Sequence, residues 1–239
     1  MMKTISVLLA AVFLICLAAC GSPAQVQPAA GNEQEPAAET ALPGPSADEG
    51  TEQQSATDTE SPEESGSNIL VLYFSRTGEQ YSVGVIEKGN TAIVAEMIAE
   101  STGADLYEII PADDHYPMTY KELTDVALQE QRTNARPAYA GELPDMSGYD
   151  TIFIGAPVWW GDWPMILYTV FESTPLEGKT LIPFSTHAGS GLSGFDRTLV
   201  AVYPGCTVAK GLAVAGTDAQ NNPDKVQVSV TSWLSELGI

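Results

Sequence analysis

Two short segments, SRTG at 75–78 and NT at 90–91, carry side chains that could bind an anion. Hydroxyl groups, a side-chain amide and backbone N–H groups exposed by glycine are the donors that a phosphate group needs. Removing the eleven residues between the segments, EQYSVGVIEKG, leaves the continuous run SRTGNT. We therefore interpret the two pieces together as one phosphate loop with an insertion, and we call this loop the first segment. Taken alone, they could also be a capped helix start, because Asn90 or Thr91 is a good N-cap.

The insertion has its own pattern. Apolar and small residues alternate between positions 81 and 85, and the run EKGN at 87–90 offers a tight turn. This pattern predicts a small hairpin or flap.

A second segment, PVWWG at 157–161, follows an apolar run. We do not expect both of its tryptophans, Trp159 and Trp160, to lie in the core. Indole rings are flat apolar walls that lose little conformational entropy, which suits a flat aromatic ligand. We expect one indole against such a ligand and the other packed beneath the following helix, and either residue could take either place.

A third segment, THAGSG at 186–191, contains two glycines that allow close backbone approach to a ligand. His187 could lie near the ligand or face solvent. Near the ligand it could carry a proton, because its ordinary pKa is close to neutrality. The run GSGLSG at 189–194, with Asp218 beyond the next strand, also matches the dinucleotide fingerprint G-x-G-x-x-G. That alternative fits poorly, because the fingerprint normally follows the first strand of its unit.

These segments must be positioned by the elements between them. The apolar runs predict strands at 68–74, 104–110, 150–156, 179–185 and 207–214. The helical patterns predict helices at 91–101, 116–133, 164–171, 191–202 and 223–237. Alternation of this kind predicts a parallel sheet covered on both faces, in which ligands bind beyond the carboxyl ends of the strands. The three segments follow the first, third and fourth predicted strands.

The motifs YFSRTG…GNT, GAPVWWGDWP and FSTHAGSG, in this order, resemble those of the flavodoxin-like FMN-binding proteins. The resemblance covers essentially all of residues 68–239. It implies a doubly wound α/β fold with a five-stranded parallel sheet in the order 2-1-3-4-5. It also implies FMN as cofactor, with the first segment around the phosphate, the second against the isoalloxazine ring and the third along the polar edge of the ring.

The resemblance assigns cofactor binding, but neither a catalytic residue nor a metal ligand. The assigned residues are Ser75, Arg76, Thr77, Gly78, Asn90, Thr91, Pro157, Val158, Trp159, Trp160, Gly161, Thr186, His187, Ala188, Gly189, Ser190 and Gly191.

The amino-terminal residues have the features of an export signal. Residues 1–19 combine one lysine, an apolar run too short for a membrane-spanning helix, and small residues at the end. The ending LAAC resembles the lipobox of bacterial lipoproteins, which implies cleavage before Cys20 and lipid attached to that residue. We therefore expect the protein in the cell envelope, outside the cytoplasm and anchored to the membrane by lipid.

Residues 20–67 form a second compositional region, rich in Pro, Ala, Glu and Ser and without Lys, Arg or aromatic residues. Such a segment lacks the apolar content that folding requires, so we expect a disordered acidic tether with a root-mean-square span of about 40 Å. Residues 68–239 then form one domain. Its one cysteine, Cys206, excludes an internal disulfide in the domain, and we expect this residue to be buried or half-buried.

The charge of residues 68–239 restricts the partners. They carry 21 acidic and 9 basic side chains, a net charge of −12. This balance argues against nucleic acid as a partner. It predicts a low reduction potential for a bound flavin and steering of basic redox partners. We expect Arg132 and Arg136 to pair with local carboxylates, although both could instead reach the surface near the flavin.

Three functions remain from the sequence. The leading one is an FMN-binding electron-transfer protein that exchanges electrons with a redox partner protein or a small-molecule donor or acceptor. The second is an FMN-dependent NAD(P)H:quinone or flavin reductase. The third, a surface binding module without flavin, is disfavoured by the polar donors in all three segments.

Overall fold

The computed structural model describes residues 68–239. The expected signal peptide at 1–19, the lipidation of Cys20 and the tether at 20–67 lie outside the described residues. Within that range, no helix combines the length and the apolar composition that crossing a bilayer requires.

The strands follow the apolar runs of the sequence. They are β1 (Ile69–Tyr73), β2 (Gly78–Gln80), β3 (Gly84–Ile86), β4 (Asp105–Glu108), β5 (Thr151–Pro157), β6 (Thr180–His187), β7 (Thr207–Val208) and β8 (Leu212–Ala215). The helices are α1 (Asn90–Thr102), α2 (Tyr120–Thr133), α3 (Met165–Ser173), α4 (Phe195–Val202), α5 (Gly216–Asn221) and α6 (Pro223–Leu237). A short 3-10 turn covers Met146–Gly148.

The main sheet is parallel and doubly wound. Its order is β4-β1-β5-β6-β7, with β8 also paired to β6, and β2 and β3 form a separate antiparallel hairpin. If β7 and β8 are counted as one strand, this is the predicted order 2-1-3-4-5. The fold class predicted from the sequence is confirmed.

Two cores cover the two faces of the sheet, because alternate residues of a strand point to opposite sides. Leu70 and Leu72 of β1 belong to the core beneath α2, α3 and α4. Val71 and Tyr73 belong to the core beneath α1, α5 and α6. The helices therefore cover the faces and leave the carboxyl edge of the strands for the loops.

The fifth predicted strand, 207–214, is divided in two. β7 pairs with Thr180 and Leu181, and β8 pairs with β6 from Phe184 onward. Between these pairings β6 contains Pro183, which has no backbone N–H to donate. The ladder is interrupted at Ile182 and Pro183 and resumes at Phe184.

Two predicted helices begin later than the sequence patterns indicated. α2 begins at Tyr120 rather than at 116, so Pro117 precedes the helix instead of opening it. α4 begins at Phe195 rather than at 191. In the second case the cause is local, because Gly191, Ser193 and Gly194 all have positive φ, which a right-handed helix does not accept.

Candidate functional site

A cavity of about 380 Å³ lies beyond the carboxyl ends of β5 and β6, within the size range of small-molecule sites. Eight of the seventeen residues assigned from the sequence line it: Asn90, Pro157, Val158, Trp159, Trp160, Thr186, His187 and Ala188. Seven further residues complete its wall: Gln80, Tyr81, Tyr120, Leu123, Thr124, Ala127 and Gly216. No lining residue carries a permanent charge.

The two halves of the first segment meet as one loop. The Oγ of Ser75 accepts a hydrogen bond from the backbone N–H of Ala92, in the first turn of α1, at 3.1 Å. A Cβ at Gly89 would lie 2.1 Å from that Oγ and 2.7 Å from the carbonyl oxygen of Arg76. Only glycine permits this approach at position 89. The loop therefore places Ser75 beside the amino terminus of α1, although the insertion separates them in sequence.

Thr91 connects this loop to the third segment. It is buried, and its hydroxyl lies 2.7 Å from the hydroxyl of Thr186, which lines the cavity at the end of β6. The first turn of α1 is thus fixed against β6.

Arg76 does not line the cavity. One terminal nitrogen of its guanidinium donates to Asp114 at 2.7 Å, and the other donates to the carbonyl oxygen of Tyr116 at 2.9 Å. The guanidinium also lies 5.3 Å from the centre of the Tyr116 ring. Arg76 therefore holds the loop that follows β4, and Asp114 neutralises its charge.

The insertion forms a hairpin, as the alternating pattern predicted. β2 and β3 pair from Gly78–Ile86 to Gln80–Gly84, so the chain reverses at 81–83 and not at the EKGN run. A non-glycine residue, Ser82, takes the left-handed conformation at this reversal. The EKGN run instead leads the chain back into α1.

The hairpin is fastened to the amino terminus of α2. The carboxylate of Glu79 accepts the backbone N–H of Tyr120 at 2.8 Å, and the N–H of Glu79 donates to the carbonyl oxygen of Met118 at 2.8 Å. The ring of Tyr81 lies 5.6 Å from the ring of Tyr120. Gln80 and Tyr81 thereby become part of the cavity wall.

The tryptophan segment turns sharply at its second residue. Trp159 and Asp162 exchange two backbone hydrogen bonds of 3.0 Å, and both Trp160 and Gly161 have positive φ, the arrangement of a type I′ turn. Trp159 packs edge-on against Phe74 and Tyr116 at the border of the core. Trp160, at the corner, is 53% exposed.

Trp160 reaches across to α2. Its indole N–H donates to the carbonyl oxygen of Thr124 at 2.8 Å, which fixes a ring that would otherwise move freely. Both tryptophans contribute to the cavity wall. Trp159 has the larger packing role, because it contacts Phe74 and Tyr116, and Trp160 takes the outer position.

The third segment is shaped by His187. The backbone N–H of Gly189 donates to the Nδ1 of His187 at 2.9 Å. Because a backbone N–H can only donate, Nδ1 is the unprotonated nitrogen and the ring proton of the neutral form is on Nε2. Burial lowers the pKa of His187, which favours that neutral form. The ring is therefore an N–H donor at the cavity rather than a ready proton carrier at neutral pH.

Asn90 is oriented by α5, a helix that the sequence patterns did not predict. The Nε2 of Gln220 donates to the Oδ1 of Asn90 at 2.9 Å and to the carbonyl oxygen of Lys88 at 2.8 Å. A Cβ at Gly216 would lie 2.6 Å from the Nδ2 of Asn90. Glycine at this position thus leaves space for the Asn90 amide.

The model of the flavodoxin family matches residues 68–228 of this chain. The chain belongs to the flavodoxin family. A protein of Bacteroides uniformis, classed provisionally as a flavoprotein, is 32% identical over 70% of this chain and 99% of its own, with a TM-score of 0.54. A similar protein of Bacteroides eggerthii is 28% identical over 72% of this chain and 98% of its own, with a TM-score of 0.55.

A third solved structure, a Lactobacillus acidophilus flavoprotein in complex with FMN, is 23% identical over 65% of this chain and 97% of its own, with a TM-score of 0.48. No curated protein matches the chain in sequence.

In this flavodoxin-family domain, nine assigned residues lie outside the cavity wall. They are Ser75, Arg76, Thr77, Gly78, Thr91, Gly161, Gly189, Ser190 and Gly191. Four of the nine shape the loops, because Gly78, Gly161, Gly189 and Gly191 all have positive φ. The competing dinucleotide fingerprint at 189–194 follows β6 rather than β1, and Asp218 is engaged by Lys225 at 2.9 Å.

The lining residues outside the assigned set come from the hairpin, α2 and α5. α2 follows β4, so its first turns begin near the carboxyl edge of the sheet, where ligands bind in such folds. That rule could have indicated Leu123 and Thr124. No comparable signal marks Gly216 and Gln220.

The structure also tests the expectations for Arg132, Arg136 and Cys206. Arg136 pairs with Glu172 at 2.7 Å, as expected, and lies over the Tyr168 ring. Arg132 has no carboxylate partner among residues 68–239.

Cys206 is half-buried, with its thiol 2.7 Å from the carbonyl oxygen of Leu176. No cluster of His, Cys, Asp and Glu in the described part of the chain could hold a metal ion.

Proposed function

We propose that this chain binds FMN at the carboxyl edge of its sheet and exchanges electrons with a redox partner. The observation that carries the proposal is the neutral, two-part character of the cavity. Asn90, Thr186 and His187 supply polar groups on one side, while Pro157, Val158 and the paired tryptophans supply flat apolar surface. Family membership supports the same cofactor.

The residues fit FMN in type. The hydroxyls of Ser75 and Thr77, the amide of Asn90 and the amino terminus of α1, whose dipole favours an anion, would hold the phosphate. No backbone N–H of residues 75–77 donates to an acceptor in residues 68–239, so these groups are available to a ligand. When bound, the isoalloxazine ring supplies the electron transfer.

The surrounding residues determine how easily the ring accepts negative charge. Trp159, Trp160 and Leu123 would present apolar surface to it, and the Nε2–H of His187 would offer one donor. Arg76, the one cation among residues 75–78, does not line the cavity and is paired with Asp114. With no cation in the cavity wall and a net charge of −12 in residues 68–239, we infer a low reduction potential.

The location is part of the proposal. Lipid on Cys20 anchors the protein to the outer side of a bacterial membrane, and residues 20–67 tether the FMN-binding domain to it. The acidic surface steers a basic redox partner protein, or the site serves a small-molecule donor or acceptor. The lipobox and the composition of residues 20–67 support this arrangement.

The absorption spectrum of the purified full-length protein tests the proposal. We expect flavin bands, either as purified or after addition of FMN, and no direct reduction by NADH or NADPH. Rapid reduction by either nucleotide would assign the reductase function instead. A colourless protein that does not bind added FMN would contradict both functions and leave the flavin-free binding module.

A further inference from the structure

The amide of Asn90 has a defined direction, which follows from its neighbours. A carbonyl oxygen can only accept, so the atom of Gln220 that lies 2.8 Å from the carbonyl of Lys88 must be its nitrogen. The same nitrogen lies 2.9 Å from the side chain of Asn90, so the facing atom of Asn90 must be its oxygen. The NH₂ group of Asn90 is therefore the end that remains for a ligand.

Both hydrogens of the Gln220 amide are used in this arrangement. One bonds the last part of the insertion at Lys88, and the other bonds the first residue of α1. The Nδ2 of Asn90 has no acceptor within residues 68–239, and Asn90 lines the cavity. Gly216, one turn before Gln220, leaves the space that this amide occupies.

We propose that Gln220 is a positioning residue that turns the Asn90 amide so that its NH₂ group faces the phosphate of the cofactor. The inference rests on the proposed function for the identity of the ligand. Without Gln220, Asn90 can rotate and present its oxygen, which an anion repels. The short helix α5 then has a role in the site through its contact with Asn90.

Replacement of Gln220 by methionine tests this step, because methionine has a similar length but no donor. We expect the Kd for FMN to rise about tenfold, the loss of roughly one oriented hydrogen bond to a charged group. The Kd for riboflavin, which lacks the phosphate, should stay within about twofold of the wild-type value. In an Asn90→Ala background, Gln220→Met should have no further effect on FMN binding.

The matched control is Gln227→Met. Gln227 lies in α6, away from the cavity, and its amide donates to the hydroxyl of Ser101 at 3.1 Å. This variant should bind FMN and riboflavin as the wild type does. Equal losses for FMN and riboflavin in Gln220→Met, or unchanged binding of both, would overturn the proposal.

The apoprotein gives a readout that does not depend on FMN. In ¹⁵N-resolved NMR spectra of the full chain, the Asn90 side-chain NH₂ resonances should be well dispersed in the wild type and move toward solvent-like shifts in Gln220→Met. Unchanged Asn90 resonances would refute the link even if FMN did not bind. Failure of wild-type protein to bind FMN, with the expected NMR change present, would contradict the proposed function alone.

Discussion

The contact between Glu79 and α2 tests whether the hairpin is part of the cofactor site. The Glu79 carboxylate bonds the first N–H of α2, and the N-cap residue Thr119 makes no side-chain bond to the helix backbone. Glu79 therefore supplies the cap from another part of the chain. Replacing Glu79 by alanine removes the cap, and loss of such a cap costs about 1 kcal/mol.

The expected changes follow from this magnitude. A loss of about 1 kcal/mol lowers the Tm of a domain of this size by roughly 2–4 °C. Hairpin docking is weakened by at most the same energy, so the FMN affinity should fall by up to about fivefold. The hairpin should remain formed, because the backbone bond from Glu79 to Met118 and the contact between Tyr81 and Tyr120 are kept.

A second substitution separates docking from wall contact. Tyr81→Ala removes the aromatic pair with Tyr120, worth about 0.5–1.5 kcal/mol, and also removes part of the cavity wall. We expect a larger loss of FMN affinity than for Glu79→Ala, measured by titration of flavin fluorescence. Thermal unfolding of both apoproteins gives the change in stability.

Glu87→Ala is the charge-matched control. Glu87 is exposed, follows β3, and makes no hydrogen bond or ion pair among residues 68–239. It should leave both Tm and affinity close to the wild-type values. If Glu87→Ala and Glu79→Ala gave the same result, the effect would be one of net charge. If Tyr81→Ala bound FMN as tightly as the wild type, the hairpin would not contribute to the cofactor site.

Three further predictions concern the other loops and the surface charge. Trp160→Phe removes the 2.8 Å bond to Thr124 and should weaken FMN binding by about 1 kcal/mol in a titration, whereas unchanged binding would mean that the indole direction is unimportant. Because the pKa of His187 is lowered in the folded protein, its contribution to stability is present above the unfolded pKa, about 6.5, and is lost as the pH falls through the folded value. His187→Asn, whose side chain can still accept the Gly189 N–H, should therefore show a smaller fall in Tm between pH 7.5 and 5 than the wild type, and equal falls would contradict this origin. The rate of electron transfer to a basic partner protein should decrease with rising salt, and a flat salt titration would exclude electrostatic steering.

The sequence predicted the sheet well because its strands are marked by composition. Runs such as that around Leu70 and Leu72 are apolar on both faces, as buried parallel strands require. The end of α1 was also readable, since Gly103 takes the left-handed conformation that stops the helix. Some predicted element boundaries were wrong, because tertiary contacts or local backbone conformation set the observed boundary. This is the case for the strand divided opposite Pro183 and for the glycine-rich stretch before α4.

The site was harder to predict from the sequence than the fold. The three loops were located from their residue types, but Arg76 could not be placed from sequence, because its direction depends on Asp114 and Tyr116, 38 and 40 positions away. α5 gave no signal, since six residues that begin with Gly216 carry no amphipathic repeat. Gln220 acts on Asn90 across 130 positions, a relation that only the folded chain creates.

The insertion unites two parts of the site that are separate in the chain. Its first residue, Glu79, directly follows residues 75–78 and caps α2, while its last residue, Gly89, packs on Ser75 and Arg76. We therefore expect a movement of the loop after β1 at Gly78 to move the residues that hold Tyr81 against Tyr120. The polar end and the aromatic wall of the cavity are joined by a continuous peptide rather than by side-chain packing alone. An insertion at another position of the chain would not link the loop after β1 to α2 in this way.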